Sequence, residues 1–72
     1  MAESTVRQID ILDRATELSS KLRALLTMTY GDAGESFRSM SDELQDEYLW
    51  ACAGMADELK SAVYELATAS VP

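Results

Sequence analysis

The chain has 72 residues, of which 47% are hydrophobic and 26% are charged, and its formal net charge is −7. This composition is typical of a small folded domain and is too apolar for a chain that stays disordered. The single cysteine, Cys52, excludes an internal disulfide and a cysteine-rich zinc site, because each needs at least two cysteines. The sequence opens without a basic segment or a long apolar run, so we expect a cytoplasmic protein with no signal peptide and no membrane insertion.

Apolar and small residues in the first part of the sequence recur at steps of three and four, which is the spacing of one helix face. This stripe comprises Ile11, Ala15, Leu18, Leu22, Leu25 and Thr29, and it is widened by Leu12 and Leu26. Ser4 or Thr5 can cap the helix N-terminus, and neither glycine nor proline interrupts residues 5–30. We predict one long helix over about residues 5–30.

The helical pattern stops at residues 31–34, where Gly31 and Gly34 flank Asp32 and Ala33. Glycine readily closes a helix and aspartate favours turns, so the sequence predicts a turn region over residues 31–41. Residues 35–40 have room for one short helix, with Phe37 and Met40 under the end of the hairpin. Ser41 is the predicted N-cap of the next helix.

A second long helix is predicted over about residues 42–69, before Pro72. Its stripe comprises Leu44, Tyr48, Ala51, Met55, Leu59, Ala62 and Leu66. Leu44, Met55 and Leu66 are spaced by eleven residues, which favours an almost straight helix. A second apolar line comprises Leu49, Ala53, Ala56, Val63 and Ala67, so this helix is apolar nearly all round. The glycine Gly54 follows a run of small residues that would let another backbone approach closely.

These elements predict an all-α fold in which two long antiparallel helices form a helical hairpin, with a short turn region between them and one domain over residues 1–72. Each helix would be about 39 Å long with only one partner helix to cover it, so apolar surface should remain uncovered. We therefore predict a homodimer in which two hairpins form a four-helix bundle. The predicted residues of the core or dimer interface are Leu18, Leu22, Leu25, Tyr48, Ala51, Met55, Leu59 and Leu66.

The whole net charge lies in residues 31–72, which carry nine acids against Arg38 and Lys60, whereas residues 1–30 are neutral. The densest acidic cluster is Asp42, Glu43, Asp46 and Glu47. One interpretation is a solvated first helical turn that the helix dipole favours. The other is a docking surface for a basic protein, which would disfavour direct nucleic-acid binding.

Trp50 lies about one turn beyond this acidic cluster, so the cluster and the indole predict one composite partner-binding surface. Tyr64, which we expect to be exposed, is also among the predicted partner-binding residues. The alternative interpretation is that these aromatic residues belong to the core or to the dimer interface.

The sequence offers little for catalysis. It contains no histidine, the usual general base near neutral pH, and no cation neighbours Cys52 to activate its thiol. The acids do not follow the spacing of a calcium-binding loop. We therefore expect a non-enzymatic protein without cofactors and without a metal site, in which Cys52 is buried.

The block from Leu25 to Leu59 carries several short segments that bear a family resemblance. They are Tyr30-Gly31, Glu35-Ser36-Phe37, Ser41-Asp42-Glu43 and Tyr48-Leu49-Trp50-Ala51-Cys52. This block resembles the small acidic helical proteins encoded by bacterial phages and prophages. The resemblance implies an accessory protein of the host cytoplasm that binds and blocks a host protein, as anti-CRISPR proteins and anti-activators do. The alternative is a structural or assembly subunit of a larger oligomer with no inhibitory role.

Overall fold

A computed structural model describes the backbone of residues 2–69 and the side chains of residues 5–68. Over residues 2–69 the chain is helical without strands, as the sequence predicted. Helix α1 spans Ala2–Thr27, a 3₁₀ turn spans Asp32–Gly34, helix α2 spans Glu35–Ser39 and helix α3 spans Asp42–Ala69. Pro72, where the sequence pattern ends, lies outside the described residues. None of these helices combines the length and the apolar character that crossing a bilayer requires.

The two long helices pack side by side and run in opposite directions. Near the turn, the Tyr48 hydroxyl of α3 donates a hydrogen bond to the Leu25 carbonyl of α1. Near the other end, the Arg14 guanidinium lies 3.9 Å from the Glu65 carboxylate. Residue numbers therefore rise along one helix as they fall along the other, and the predicted antiparallel hairpin is confirmed.

Helix α1 lies about three residues earlier in the sequence than predicted, at both ends. Ser4 and Thr5 lie inside the helix, so their prediction as N-caps is wrong; no helix breaker in residues 2–4 forces a later start. At the other end, the amide of Met28 bonds the Leu25 carbonyl at 3.2 Å, and the amide of Thr29 bonds the Leu26 carbonyl at 3.0 Å. These three-residue steps tighten the last turn and end the α-helix at Thr27.

The turn region is stabilised by a glycine conformation and by hydrogen bonds to backbone carbonyls. Gly31 has φ of +61° and ψ of −156°, a conformation that is essentially restricted to glycine. The amide of Gly34 donates to the Tyr30 carbonyl at 2.9 Å, and the Arg38 guanidinium donates to the Gly31 carbonyl at 3.1 Å. The short predicted helix is present as α2, and its Phe37 is half-buried as expected, but Met40 is exposed, so its predicted place under the hairpin end is wrong.

The start of α3 has the predicted cap. The amide of Leu44 donates to the Ser41 hydroxyl at 3.2 Å, and the amide of Gln45 donates to the Ser41 carbonyl at 3.0 Å. The Gln45 side-chain amide also donates to the Met40 carbonyl at 2.8 Å. Asp42 and Glu43 follow in the first turn, where the helix dipole favours negative charge.

The interface between α1 and α3 follows a repeat of three and four residues in both helices. In α1 the main stripe is the predicted one, with Ile11 and Ala15 buried. Leu12 and Leu26, which were predicted to widen it, are 51% and 39% exposed, so that part of the prediction is wrong. In α3 the most enclosed positions include Cys52 and Ala62, and Leu59 and Leu66 pack against the buried cluster. The buried state predicted for Cys52 is confirmed.

The predicted α3 stripe is wrong at two positions. Leu44 is 53% exposed, and Ala51 is exposed while its neighbour Cys52 faces α1. The enclosed positions of α3 repeat about every 3.5 residues, as in helices that coil slightly around each other, and the eleven-residue spacing that includes Leu44 drifts away from that line. Of the predicted core residues, those that the structure leaves half-buried are Leu18, Leu22, Leu25, Tyr48, Met55, Leu59 and Leu66.

The hairpin is thin. It measures 51 × 19 × 13 Å and its radius of gyration is 16.0 Å, whereas a compact domain of this length has about 11 Å. Its accessible surface is 5611 Å², compared with about 4400 Å² for a folded monomer of this mass. Within residues 5–68 the one residue without any exposure is Ala62, and no large side chain is fully buried. The uncovered apolar surface expected from the sequence is therefore present.

One exposed ion pair supports α1. The Lys21 ammonium donates to the Glu17 carboxylate at 2.7 Å, one helical turn away. This hydrogen bond and the attraction between the charges lower the pKa of Glu17 and raise the pKa of Lys21. The pair is fully charged between the two pKa values, and its support is lost as the pH falls through the lowered pKa of Glu17. Because both groups face solvent, its effect on stability is small.

Candidate interaction surface

Trp50 is the most exposed large apolar side chain among residues 5–68, at 80% exposure. It lies two residues before Cys52, which is about 200° around the helix, so the indole points away from α1 while Cys52 points toward it. A tryptophan buries more apolar area than any other side chain when it finds a partner. The indole is therefore not part of the hairpin core, whereas the alternative of a place in the dimer interface stays a prediction.

The indole stands in a shallow depression that also includes acidic side chains. The depression is lined by Asp46, Glu47, Leu49 and Trp50, which we call the Trp50 patch. Asp46 and Glu47 lie four and three residues before Trp50, so both are on its side of the helix. The structure thus brings together three of the predicted partner-binding residues.

The other predicted partner-binding residues do not line the Trp50 patch. Asp42 and Glu43 are exposed one helical turn before Asp46 and Glu47, so they adjoin the acidic end of the patch but lie at least about 10 Å from Trp50 along the helix axis. Tyr64 is 70% exposed but lies fourteen residues after Trp50, which is about 21 Å along the axis. It lines a separate depression with Asp57, Lys60, Ser61 and Glu65.

Tyr48, which the sequence placed in the core or dimer interface, has a role inside the hairpin. Its ring meets the Phe37 ring edge-on, with centroids 5.2 Å apart and planes at 61°. Its hydroxyl donates to the Leu25 carbonyl at the end of α1, where helix carbonyls lack partners within the helix. Tyr48 therefore ties all three helices together at the turn end.

Leu49 belongs to the Trp50 patch although it is not among the residues predicted to bind a partner. It lies between the acidic cluster and Trp50 in sequence, and it is 45% exposed. Its exposure could have been predicted from its position directly after the stripe residue Tyr48, because such positions lie beside the helix interface and not within it.

The Trp50 patch has a defined chemical preference. An indole face attracts an arginine or lysine cation, and neighbouring carboxylates pair with the same cation. Both carboxylates are exposed and hydrated, so a partner that covers them must offer a cation to offset the cost of removing their water. The arrangement therefore suits a partner surface that offers a basic side chain beside an apolar one.

Within residues 5–68 no polar or charged side chain is buried, and no group of three or more acids or cysteines is placed to hold a metal ion. No family model matches the sequence, and neither a curated protein nor a solved structure does so. The resemblance to phage-encoded proteins therefore stays a prediction.

Proposed function

We propose that this chain is a non-enzymatic protein-binding modulator or inhibitor that docks on a partner protein through the Trp50 patch. The observation that carries the proposal is the 80% exposure of Trp50 beside Asp46 and Glu47. Tryptophan is enriched among residues that dominate protein interfaces, and a charged rim around an apolar anchor is the usual arrangement there. The partner is a protein with a basic and partly apolar surface.

The proposal includes a homodimer that forms a four-helix bundle. The support is the large accessible surface of the single hairpin and the lack of any fully buried large side chain within residues 5–68. Small chains without disulfides or metals rarely obtain enough stability from one thin core. A two-fold dimer is the commonest closed assembly.

The test is capture of a binding protein from a bacterial lysate, followed by titration with the purified captured protein. The variant combines Trp50→Ala with Asp46→Lys and Glu47→Lys, which removes the anchor and reverses the rim. We expect this variant to lose at least 90% of the captured protein. Because Trp50 is the only tryptophan, its fluorescence should shift to shorter wavelength when the wild type binds a partner that lacks tryptophan.

The matched control carries Asp10→Lys and Asp13→Lys, which reverses two exposed acids on α1. It changes the net charge by the same amount without touching the Trp50 patch, so it should retain the captured protein. Circular dichroism must show equal helix content for both variants. Equal capture by the Trp50 variant would contradict the proposal, and a ladder of large species would favour the assembly subunit instead.

A further inference from the structure

We infer that a second copy of this chain covers one long uncharged side of the hairpin; this inference rests on the dimer of the proposed function and names its interface. In each long helix, this side is formed by the three residues that directly follow every second residue of the buried stripe. They are Leu12, Ser19, Leu26, Leu49, Ala56 and Val63, which we call the uncharged face. All six are exposed in the single chain.

Helix geometry places these six residues on one side of the hairpin. Consecutive residues are about 100° apart, so a residue that follows the stripe lies on one defined flank of its helix. In an antiparallel pair of helices, the residues that follow the stripe in both helices lie on one side of the pair. The residues that precede the stripe in both helices lie on the opposite side. The ion pair between Arg14 and Glu65 marks that other side, because these residues precede Ala15 and Leu66.

The uncharged face is built in three layers. The contacts that join Tyr48 to Leu25 and Arg14 to Glu65 fix the register between α1 and α3. In this register Leu12 neighbours Val63, Ser19 neighbours Ala56, and Leu26 neighbours Leu49. Bulky apolar layers therefore flank a small central layer. A two-fold axis through the central layer brings the bulky layers of two copies together, as a self-complementary interface requires.

The area that needs cover matches a second copy. The hairpin exposes 5611 Å², which is about 1200 Å² more than a folded monomer of its mass normally does. A stable protein interface buries about 800 Å² on each partner. The broad side of the hairpin, 51 Å by 19 Å, is large enough to bury that area. One copy packed on this side would therefore lower the exposed surface of each chain to about 4800 Å², which is closer to the value for a folded monomer of this mass.

The charge distribution also selects this side for self-association. Two copies with a net charge of −7 repel each other, so their contact must avoid the acids. The uncharged face has none, and the lines of residues directly beside it hold Arg23 and Lys60 against one acid, Asp46. A second acid, Asp42, continues the line of Leu49 at the turn end, so the edge of this face is balanced in charge, although the chain has thirteen acids and six cations.

The indole and the two carboxylates of the Trp50 patch remain accessible in this dimer. Trp50 follows Leu49 and therefore lies about 100° further around α3, away from the covered side. Leu49 belongs to both surfaces, so the Trp50 patch lies at the rim of the interface. The dimer presents the patch twice, which strengthens binding to any partner that offers two sites within reach.

The first test compares two double variants by analytical ultracentrifugation. Leu12→Glu with Leu26→Glu places two charges in the uncharged face at positions that are already exposed. Val6→Glu with Ala24→Glu adds the same charge to exposed positions elsewhere on α1. We expect the wild type and the control to sediment with twice the 7.9 kDa chain mass, and the first variant with the single mass and unchanged helix content. A dimeric first variant, or a monomeric control, would overturn the inference.

The second test needs no disruptive substitution. Ser19→Cys places a thiol in the uncharged face, and Ser20→Cys places one at the next residue, outside it; both serines are exposed in the single chain. Cys52 is buried, so a thiol reagent acts mainly on the introduced group. We expect alkylation of Ser19→Cys to slow at least tenfold as the protein concentration rises through the dimerisation range, with no change for Ser20→Cys. Equal behaviour of the two thiols would overturn the inference.

The two proposals fail separately. Trp50→Ala should abolish capture of a partner protein while the dimer mass stays the same. Leu12→Glu with Leu26→Glu should abolish the dimer while each single chain keeps its Trp50 patch. Loss of dimer mass on Trp50→Ala alone would overturn the assignment of the uncharged face.

Discussion

Gly34 occupies a position where a side chain has no space. A Cβ atom added there would lie 2.6 Å from the carbonyl carbon of Thr29 and 2.9 Å from its oxygen. Backbone atoms of the turn cannot move aside as a flexible side chain would. We therefore expect Gly34→Ala to lower the free energy of unfolding by about 1–3 kcal/mol, measured by urea denaturation.

Gly54 provides the matched control within the same chain. Nothing in the single hairpin lies within 4 Å of a Cβ added at this exposed position inside α3. Alanine loses less backbone entropy than glycine on folding, so Gly54→Ala should raise the free energy of unfolding by about 0.5–1 kcal/mol. A destabilised Gly54→Ala would mean that another backbone approaches this residue, as the small residues before it allowed.

Tyr48→Phe isolates the hydroxyl that joins α3 to the end of α1. The substitution keeps the ring beside Phe37 and removes the hydrogen bond to the Leu25 carbonyl. We expect a loss of about 1 kcal/mol in the free energy of unfolding. Thermal unfolding followed by circular dichroism measures it, and an unchanged midpoint would show that the hydroxyl contributes nothing.

At the scale of helices, Ser41 determines where α3 begins. Its hydroxyl accepts the Leu44 amide at 3.2 Å, which satisfies one of the unpaired donors of the first turn. Ser41→Ala should therefore cost about 1 kcal/mol of stability. Ser20→Ala, at an exposed position inside α1, is the control and should be neutral or slightly stabilising. Equal effects of the two substitutions would contradict the cap.

The two long helices differ in how well their buried stripes could be predicted. In α1 the spacing of Ile11, Ala15 and Leu18 identified the main stripe, although it did not show that Leu12 and Leu26 beside it are exposed. In α3 apolar residues surround the helix, and Ala51 and Cys52 are equally suitable for burial by type. The position of α1 determines which of the two is buried, and the periodicity of the α3 sequence alone does not reveal that position.

Helix ends show the same contrast between local and non-local causes. The α3 cap was predictable because Ser41 acts on residues three and four positions away. The end of α1 was not, because it depends on how residues 28–34 pack in the turn. There the Gly34 amide bonds the Tyr30 carbonyl at 2.9 Å, and Arg38 binds the Gly31 carbonyl.

At the scale of the whole molecule, the candidate site was predictable in part. Trp50, Asp46 and Glu47 are close in sequence on one helix, so their proximity followed from helical spacing alone. The uncharged face could not be predicted from the sequence, because it combines residues from α1 and α3. Its recognition requires the direction and register of the two helices, which the contact between Arg14 and Glu65 supplies.

Salt should act in opposite directions on the two proposed contacts. Two chains of charge −7 repel each other, and salt screens that repulsion, so the dimer should strengthen severalfold between about 0.02 and 0.5 M NaCl. Docking of the acidic Trp50 patch on a basic partner should weaken over the same range. Sedimentation and fluorescence titration measure the two effects, and a shared direction would contradict the assignment of separate surfaces.

The mass of the wild-type protein in solution tests most directly whether a single hairpin is stable without a second copy. Sedimentation equilibrium over a wide concentration range should give twice the chain mass of 7.9 kDa, with helix content that stays constant. A chain that remains a stable, fully helical monomer at the highest concentration would contradict the account, because the exposed apolar surface would then need no second copy.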